Sequence, residues 1–300
     1  MLMRLVDGDP ALENWFLPAV LTAFFYGVQS AYLKGVLPDA DKQLVAWGIF
    51  FFSLPVYLGM LAVGGMPEVS TKFWLAFSVS LGVNLIAWPL FVRSIQLSDI
   101  SLVMPLVAFT PVFILGVEFV VLGAVPQGLG LVGILLIVLG AYVLNVRKGM
   151  GGIFEPLTSL ARNRGAVLML IVAALWSISA TVEKITVVES SPAFYLTALS
   201  VGFALVFSPV VALRVDKPLQ KLRGQWVRLA GAGLLTGAMA GFQMHAIQTT
   251  PLVNYVVSIK RAGMLVSVVV GWLVFKEKNI LFRLIGAALM VAGVALIRMV

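Results

Sequence analysis

Residues 252–275, LVNYVVSIKRAGMLVSVVVGWLVF, decide the fold class of this protein. The stretch is longer than the roughly 20 apolar residues that a helix needs to cross a bilayer core about 30 Å thick. Its only charged residues, Lys260 and Arg261, lie near its middle. Because lipid offers no partners for backbone N–H and C=O groups, such a segment must be helical. The stretch therefore predicts a membrane-spanning helix with two cations near the membrane midplane.

Nine further segments share this apolar character, so the sequence predicts ten membrane-spanning helices in an all-α membrane protein. They cover residues 15–33, 44–63, 73–92, 100–122, 127–146, 165–183, 193–213, 226–245 and 280–297. Of the 300 residues, 61% are hydrophobic and 11% are charged, and the mean hydropathy is +1.04. Soluble domains are about a quarter charged, so the composition excludes a water-soluble globule.

Residue types that carry catalysis, metals and cofactors are scarce. The chain has no cysteine and one histidine, His245, which argues against disulfides, thiolate nucleophiles and zinc sites. The ten segments contain no aspartate and neither a His-Glu-x-x-His nor a Gly-x-Ser-x-Gly pattern. We therefore expect no enzyme, no metal and no cofactor. The net charge of +8 is interpreted as loop charge that orients a membrane protein, not as a sign of a nucleic-acid partner.

The longest polar stretch, residues 147–164, divides the chain into halves of five predicted helices each. The last helix of each half carries two glycines seven residues apart, at Gly133 and Gly140 and at Gly286 and Gly293. Because five is an odd number, the second half must enter the membrane in the opposite orientation. The sequence thus predicts two inverted five-helix repeats, residues 1–146 and 165–300, a plan common in secondary transporters.

Residues 101–106 (SLVMPL) and 140–145 (GAYVLN) belong to the closing stretch of the first half. Residues 255–297 close the second half, with the turn Phe275-Lys-Glu277 before the last helix. These stretches resemble the repeat of the drug/metabolite transporter superfamily, the EamA-type unit. The resemblance implies ten helices in two repeats, a transport function and cytoplasmic termini. The loop charge instead indicates termini outside the cytoplasm, because four Lys or Arg lie on the side of the termini and fifteen on the other side. The orientation therefore stays open.

The sequence Ser258-Ile-Lys260-Arg261 adds a narrower similarity. It resembles the branch of the superfamily that exchanges sugar phosphates or triose phosphates, whose members carry a Lys-Arg pair on this helix. In that branch the pair binds the anionic group of the substrate, which implies the same role for Lys260 and Arg261. The fourth helix has Ala108 and Phe109 at the repeat-equivalent positions, where that branch tends to have a basic residue.

The depth of the two cations also favours a binding site. A cation at the centre of a membrane helix costs roughly 2.5 to 3.5 kcal/mol and is retained mainly where it faces water, a partner or a substrate. Asn254, Ser258 and Arg261 share one helix face, with Lys260 beside it. We expect these four residues to line a central cavity, with Arg261 as a two-pronged donor and Lys260 as a point charge. A permanent structural ion pair or snorkelling side chains would explain the same pattern.

Other residues within the predicted helices have more than one interpretation. Glu118 is a candidate site for proton coupling, a partner that neutralises Lys260 or Arg261, or an interfacial residue. Trp88, Trp176 and Tyr255 either wall a substrate cavity or pack in the core or against lipid. A further pair, Glu183 and Lys184, is expected to anchor the sixth helix at the membrane interface.

Three glycines recur every four residues in the eighth predicted helix, Gly233, Gly237 and Gly241. They leave one helix face without side chains, so that another helix can approach closely. Such a seam suits helices that slide during alternating access, and tight static packing predicts the same spacing.

Together these features predict a multi-pass protein of the plasma (inner) membrane that acts as a secondary active transporter. Its partners would be a small polar, anionic metabolite, the lipid bilayer and a proton or counter-substrate, and it would work by alternating access. The alternative is an exporter of amino acids or amphipathic compounds, or a lipid flippase, in which Lys260 and Arg261 pair with Glu118.

Overall fold

The structure is a computed structural model that describes residues 14–36, 41–98, 100–145, 157, 163–266, 269 and 280–300. All regular secondary structure in these residues is helical. In chain order the helices are α1 (Phe16–Val36), α2 (Lys42–Gly64), α3 (Thr71–Leu97), α4 (Ile100–Val107), α5 (Thr110–Leu122), α6 (Gly128–Asn145), α7 (Arg164–Val188), α8 (Pro192–Arg214), α9 (Pro218–Thr249), α10 (Val253–Ala262) and α11 (Ile280–Arg298).

Six stretches of these helices are long and apolar enough to cross a membrane. They are Phe16–Leu33, Gln43–Gly64, Thr71–Leu97, Val103–Leu122, Arg164–Val188 and Pro192–Arg214. Two shorter apolar helical stretches, Gly128–Leu144 and Ile285–Arg298, lie in α6 and α11. The described part of the chain therefore has the all-helical, apolar character that the sequence predicts.

Helix α9 is longer than its predicted counterpart. The apolar run predicts residues 226–245, whereas the helix extends over 32 residues, Pro218–Thr249. Pro218 lies in the first turn, where a backbone N–H has no acceptor within the helix, so proline is tolerated there. The basic segment before Trp226, which charge alone assigns to a loop, is therefore helical.

The fourth predicted helix is interrupted. The sequence predicts one helix over residues 100–122, but α4 ends at Val107 and α5 begins at Thr110. Pro111 has no N–H to donate to the Val107 carbonyl, four residues earlier. The Thr110 hydroxyl donates to that carbonyl instead, at 2.7 Å. The Val107 carbonyl therefore keeps a hydrogen-bond partner at the interruption.

The ninth predicted helix, residues 252–275, is also interrupted. Helix α10 ends at Ala262, Gly263 forms a turn, and residues 264–266 are helical again. Of the residues from 267 to 275, only 269 is among those described. A Cβ on Gly263 would collide with the backbone of Ala23 in α1. Glycine is therefore required at this turn because the two backbones touch.

Helix α10 lies at the centre of the bundle and contacts α1, α5, α6, α7, α9 and α11. Around it, α3 packs along α7, α1 along α9, and α2 against both α8 and α9. Helices α6 and α11 form another long contact. Residues from Val253 to Ile259 are at most 5% exposed, so α10 is surrounded by protein over most of its length.

The glycines that end each half meet each other at the contact between α6 and α11. A Cβ on Gly133 would lie 2.7 Å from the Gly293 carbonyl oxygen, and one on Gly140 would lie 2.6 Å from the Gly286 carbonyl oxygen. The reverse contacts are equally short, at 2.5 Å from Gly293 and 2.8 Å from Gly286. The two helices therefore pack antiparallel, backbone against backbone.

The glycine stripe of α9 lies against α2. A Cβ on Gly233 would lie 2.5 Å from Phe52, one on Gly237 2.9 Å from Val56, and one on Gly241 3.1 Å from Met60. The contact involves the backbone of α2 at Phe52 and the end of a flexible side chain at Met60. The seam therefore loosens from Gly233 towards Gly241.

We expect Gly140→Ala to destabilise the protein, because the added methyl group would force α6 and α11 apart. Overpacking of this kind costs about 1–3 kcal/mol. Gly116→Ala is the matched control, since Gly116 also lies within a helix but no heavy atom lies within 4 Å of its Cβ position. Thermal unfolding of both purified variants in detergent measures the difference. Equal midpoints would show that the backbone contact does not stabilise the fold.

Candidate functional site

The polar face of α10 points into the protein. Asn254 and Ser258 are fully buried. Asn254 Nδ2 donates to the Pro111 carbonyl oxygen at 2.9 Å, and the Ser258 hydroxyl donates to Asn254 Oδ1 at 3.2 Å. Because Pro111 follows the interruption between α4 and α5, these side chains hold α10 against that interruption.

Arg261 reaches the same interruption from the last turn of α10. Its Nη2 donates to Thr110 Oγ1 at 3.1 Å and its Nη1 to Tyr26 Oη at 3.4 Å. Arg261 is 6% exposed, and its buried Nε has no hydrogen-bond partner among the described residues. Among the described residues, no carboxylate lies within ion-pair distance of Arg261. Within the described residues, the guanidinium group therefore keeps a free donor and has no counter-charge.

Lys260 has different neighbours from Arg261. Its Nζ donates to Gln243 Oε1 at 2.7 Å and lies 5.4 Å from the centre of the Tyr26 ring, within the range of a cation–π contact. Lys260 is half-buried, and the direct contacts of its ammonium group in the described structure are neutral. Tyr26 thus contacts both cations, one through its ring and the other through its hydroxyl.

The predicted aromatic residues lie in two separate places. Trp88 on α3 and Trp176 on α7 contact each other edge to face, with ring centres 6.3 Å apart, and both contact Phe91. Tyr255 is 3% exposed and stacks on Trp15 at 5.9 Å near the start of α10. Trp88 and Trp176 therefore form a partly exposed cluster, whereas Tyr255 is packed in the core.

Glu118 lies where α9 ends and α10 begins. It is fully buried, and its Oε1 accepts a hydrogen bond from the Val253 N–H at 2.6 Å. This contact caps the N-terminus of α10, where a negative charge is favourable. Val253 lies about 10 Å along the helix from Lys260. The alternative interpretation, in which Glu118 pairs with Lys260 or Arg261, is therefore wrong for the described structure.

Lys184 lies on the other side of the same junction. Its Nζ donates to the carbonyl oxygens of Ile247, Gln248 and Thr250 at 2.7, 3.0 and 2.7 Å. These carbonyls lie at the C-terminal end of α9, where a cation is favourable. The sequence predicts that Lys184 anchors the helix at the membrane interface, whereas in the structure its charged group turns inward onto the end of α9.

The sequence predicts Glu183 at the interface as well, but the residue is buried at 9% exposure, where α7 packs against α3 and α8. The Ser179 hydroxyl donates to Glu183 Oε1 at 2.8 Å, and Asn84 Nδ2 donates to Ser179 Oγ at 2.6 Å. Ser80 Oγ lies 2.8 Å from Tyr195 Oη, which is also hydrogen-bonded to Glu183. We name these five residues the Glu183 cluster. The pairs Ser80/Asn84 and Ser179/Glu183, each four residues apart, are the sequence signal for it.

We expect Lys184→Met to destabilise the α9–α10 junction, because three partly buried carbonyls lose their shared donor. An unsatisfied buried polar group costs about 1–3 kcal/mol. The control is Lys72→Met, since the Lys72 side chain is 77% exposed and its ion pair with Glu189 spans 4.0 Å, and exposed pairs contribute about 0–1 kcal/mol. Thermal unfolding in detergent compares the two. A Lys184→Met midpoint as high as that of Lys72→Met would contradict the capping role.

Comparison with known proteins agrees with this architecture. The model of the EamA-like transporter family matches residues 14–146 and again residues 163–299. A solved crystal structure of another protein superposes with a TM-score of 0.77, covering 94% of this chain and 97% of that chain at 14% sequence identity, which shows a shared fold. No curated protein matches the chain. Because the family model covers nearly the whole chain in two copies, this integral, multi-pass membrane protein belongs to the EamA-like transporter family of the drug/metabolite transporter superfamily.

Proposed function

We propose that the protein is a secondary transporter of a small anionic metabolite, and that Lys260 and Arg261 bind the anion. The observation that carries this proposal is a pair of adjacent cations in the interior whose direct partners, among the described residues, are all neutral. A buried charge without a counter-ion is expensive. A visiting anion would supply the missing counter-charge, which explains why the pair is kept at this depth.

The geometry of the pair suits an oxyanion. Arg261 offers a planar fork of donors that matches a carboxylate or phosphate, with Nε still free. Lys260 adds a point charge on a half-buried, flexible side chain. Tyr26, Thr110 and Gln243 contact the cations through neutral groups, so an incoming anion can displace or join them without separating an ion pair.

The other predicted substrate residues divide into two roles in this proposal. Asn254 and Ser258 hold α10 against the interruption between α4 and α5, and Tyr255 fixes the start of α10 against Trp15. These three residues keep the cations in position without contacting the substrate. Trp88 and Trp176 remain candidates for an apolar wall, because their shared cluster is partly exposed.

We further propose that the two halves are inverted repeats that rock against each other at the plasma membrane. Three observations support this. The fourth predicted helix of each half is interrupted, at residues 108–109 and at Gly263. The closing helices α6 and α11 meet through reciprocal glycine contacts. In the two halves α1 corresponds to α7 and α3 to α9, so the contact of α3 with α7 is the counterpart of the contact of α9 with α1. Interrupted helices at a repeat interface are typical of transporter binding sites.

The anion site predicts which compounds stabilise the purified protein. In a thermal-shift panel of methyl sulfate, inorganic phosphate, a hexose phosphate, a dicarboxylate, a neutral hexose and a neutral amino acid, we expect oxyanions to raise the unfolding temperature. Arg261→Ala should weaken their binding roughly ten- to hundredfold, since charge-assisted hydrogen bonds contribute about 1.5–3 kcal/mol. Arg261→Lys should restore only part of it, because lysine lacks the fork.

Lys72→Ala serves as the control, since it removes an exposed cation. Stabilisation by anions that is equally strong in Lys260→Ala, Arg261→Ala and wild type would overturn the proposed site. Stabilisation by the neutral amino acid alone would favour amino-acid export instead.

A further inference from the structure

We propose that Glu183 binds a proton together with the transported anion, so that anion and proton are loaded as a pair. This inference rests on the proposed anion site at Lys260 and Arg261. It assigns proton binding to the Glu183 cluster, a role in addition to packing the helices.

The first step is the surroundings of the carboxylate. Glu183 is buried, and its direct partners in the described structure are the hydroxyls of Ser179 and Tyr195 and the amide of Asn84. No lysine, arginine or histidine of the described residues lies within ion-pair distance of it. A buried carboxylate that has only neutral partners is costly in its ionised form. A proton relieves that cost without any movement of the helices.

The second step is the link to the anion site. Lys260 lies on α10 and Glu183 on α7, two helices that contact each other, and their opposite charges attract although the two side chains make no direct contact. Charges in the protein interior are weakly screened, so they interact even without direct contact. An anion bound at Lys260 would therefore repel an ionised Glu183, and a proton on Glu183 would remove the repulsion. Binding of the anion and of the proton must then favour each other reciprocally.

The third step is the charge of the loaded site. Without ligands, Lys260 and Arg261 with an ionised Glu183 carry a net charge of +1, counted as two positive charges and one negative. With a singly charged anion and a proton on Glu183, the net charge is again +1. Anion and proton together are electrically neutral, so transport of the pair moves no net charge across the membrane potential.

The other groups around Glu183 do not offer a competing explanation. Helix α8 contributes Tyr195, which also interacts with Tyr57 of α2, and α10 contributes Lys260. Helix α3 contributes only the neutral Ser80 and Asn84. Lys184, the next residue on α7, is bound to the end of α9. The described residues of α4, α5 and α9 bring no charged side chain into contact with Glu183.

The test measures binding of methyl sulfate, a singly charged oxyanion without a titratable proton near neutral pH, to the purified protein at several pH values. Wild type should bind up to about tenfold more weakly per unit of rising pH, because one proton is taken up with each anion. Glu183→Gln imitates the protonated residue, so it should bind as tightly as wild type at low pH and show no slope. Glu118→Gln is the matched control and should keep the wild-type slope.

A slope that persists in Glu183→Gln would overturn the proposal, since Lys260 or another group would then carry the proton. Loss of the slope in Glu118→Gln alone would move the role to Glu118. Infrared difference spectra of the ligand-free protein provide a second readout. A carboxylic acid band that grows on acidification and is missing in Glu183→Gln supports the proton site, and its absence from wild type overturns it. If no anion stabilises wild type, the proposed function fails, and this spectrum alone decides whether Glu183 takes up a proton.

Discussion

The central constraint on this bundle is the Arg261 guanidinium group, a cation held in the protein interior. Two hydroxyls on two different helices hold it, Thr110 on α5 and Tyr26 on α1, and its Nε has no partner. Lys260 beside it is bound to an amide and an aromatic ring. A protein that only needed stability would place a carboxylate here or remove both charges. Within the described part of the chain these two cations have no acidic partner, and this observation carries the proposal that the centre receives an anion.

The helix ends inside the bundle also have specific hydrogen-bond partners. Backbone groups at an interruption within a membrane protein need partners from the protein itself. At the break between α4 and α5 the Thr110 hydroxyl replaces the donor that Pro111 lacks. Where α9 passes to α10, Lys184 binds the carbonyls of one helix and Glu118 the first N–H groups of the next. Two charged side chains in the bundle, Glu118 and Lys184, therefore satisfy backbone groups at helix ends.

Much of the fold could be predicted from the sequence because its signals are local. Apolar runs locate the helices, and the paired glycines of α6 and α11 mark a contact that the structure contains. Other features depend on contacts between distant segments. Pro55, Pro89 and Pro209 lie within unbroken helices, whereas Pro111 follows a break, and the number of prolines alone does not distinguish these cases.

The site was predictable to a similar degree. Helical spacing alone places Asn254, Ser258 and Arg261 on one face, and this face is buried. The positions of Glu183 and Lys184 were missed because a charged pair at the end of an apolar run looks like an interfacial anchor. Their inward orientation depends on how α7 is rotated against α3 and α9. The partner of Glu118, the Val253 N–H, lies 135 residues away in sequence, so no local pattern indicates it.

The most direct measurement is a crystal structure of the protein soaked with selenate, an oxyanion whose selenium gives an anomalous signal. The account predicts an anomalous peak within hydrogen-bonding distance of Arg261 Nε, with Lys260 turned from Gln243 towards it. A structure in which a carboxylate of the chain itself occupies that position, and no selenate binds there, would contradict it.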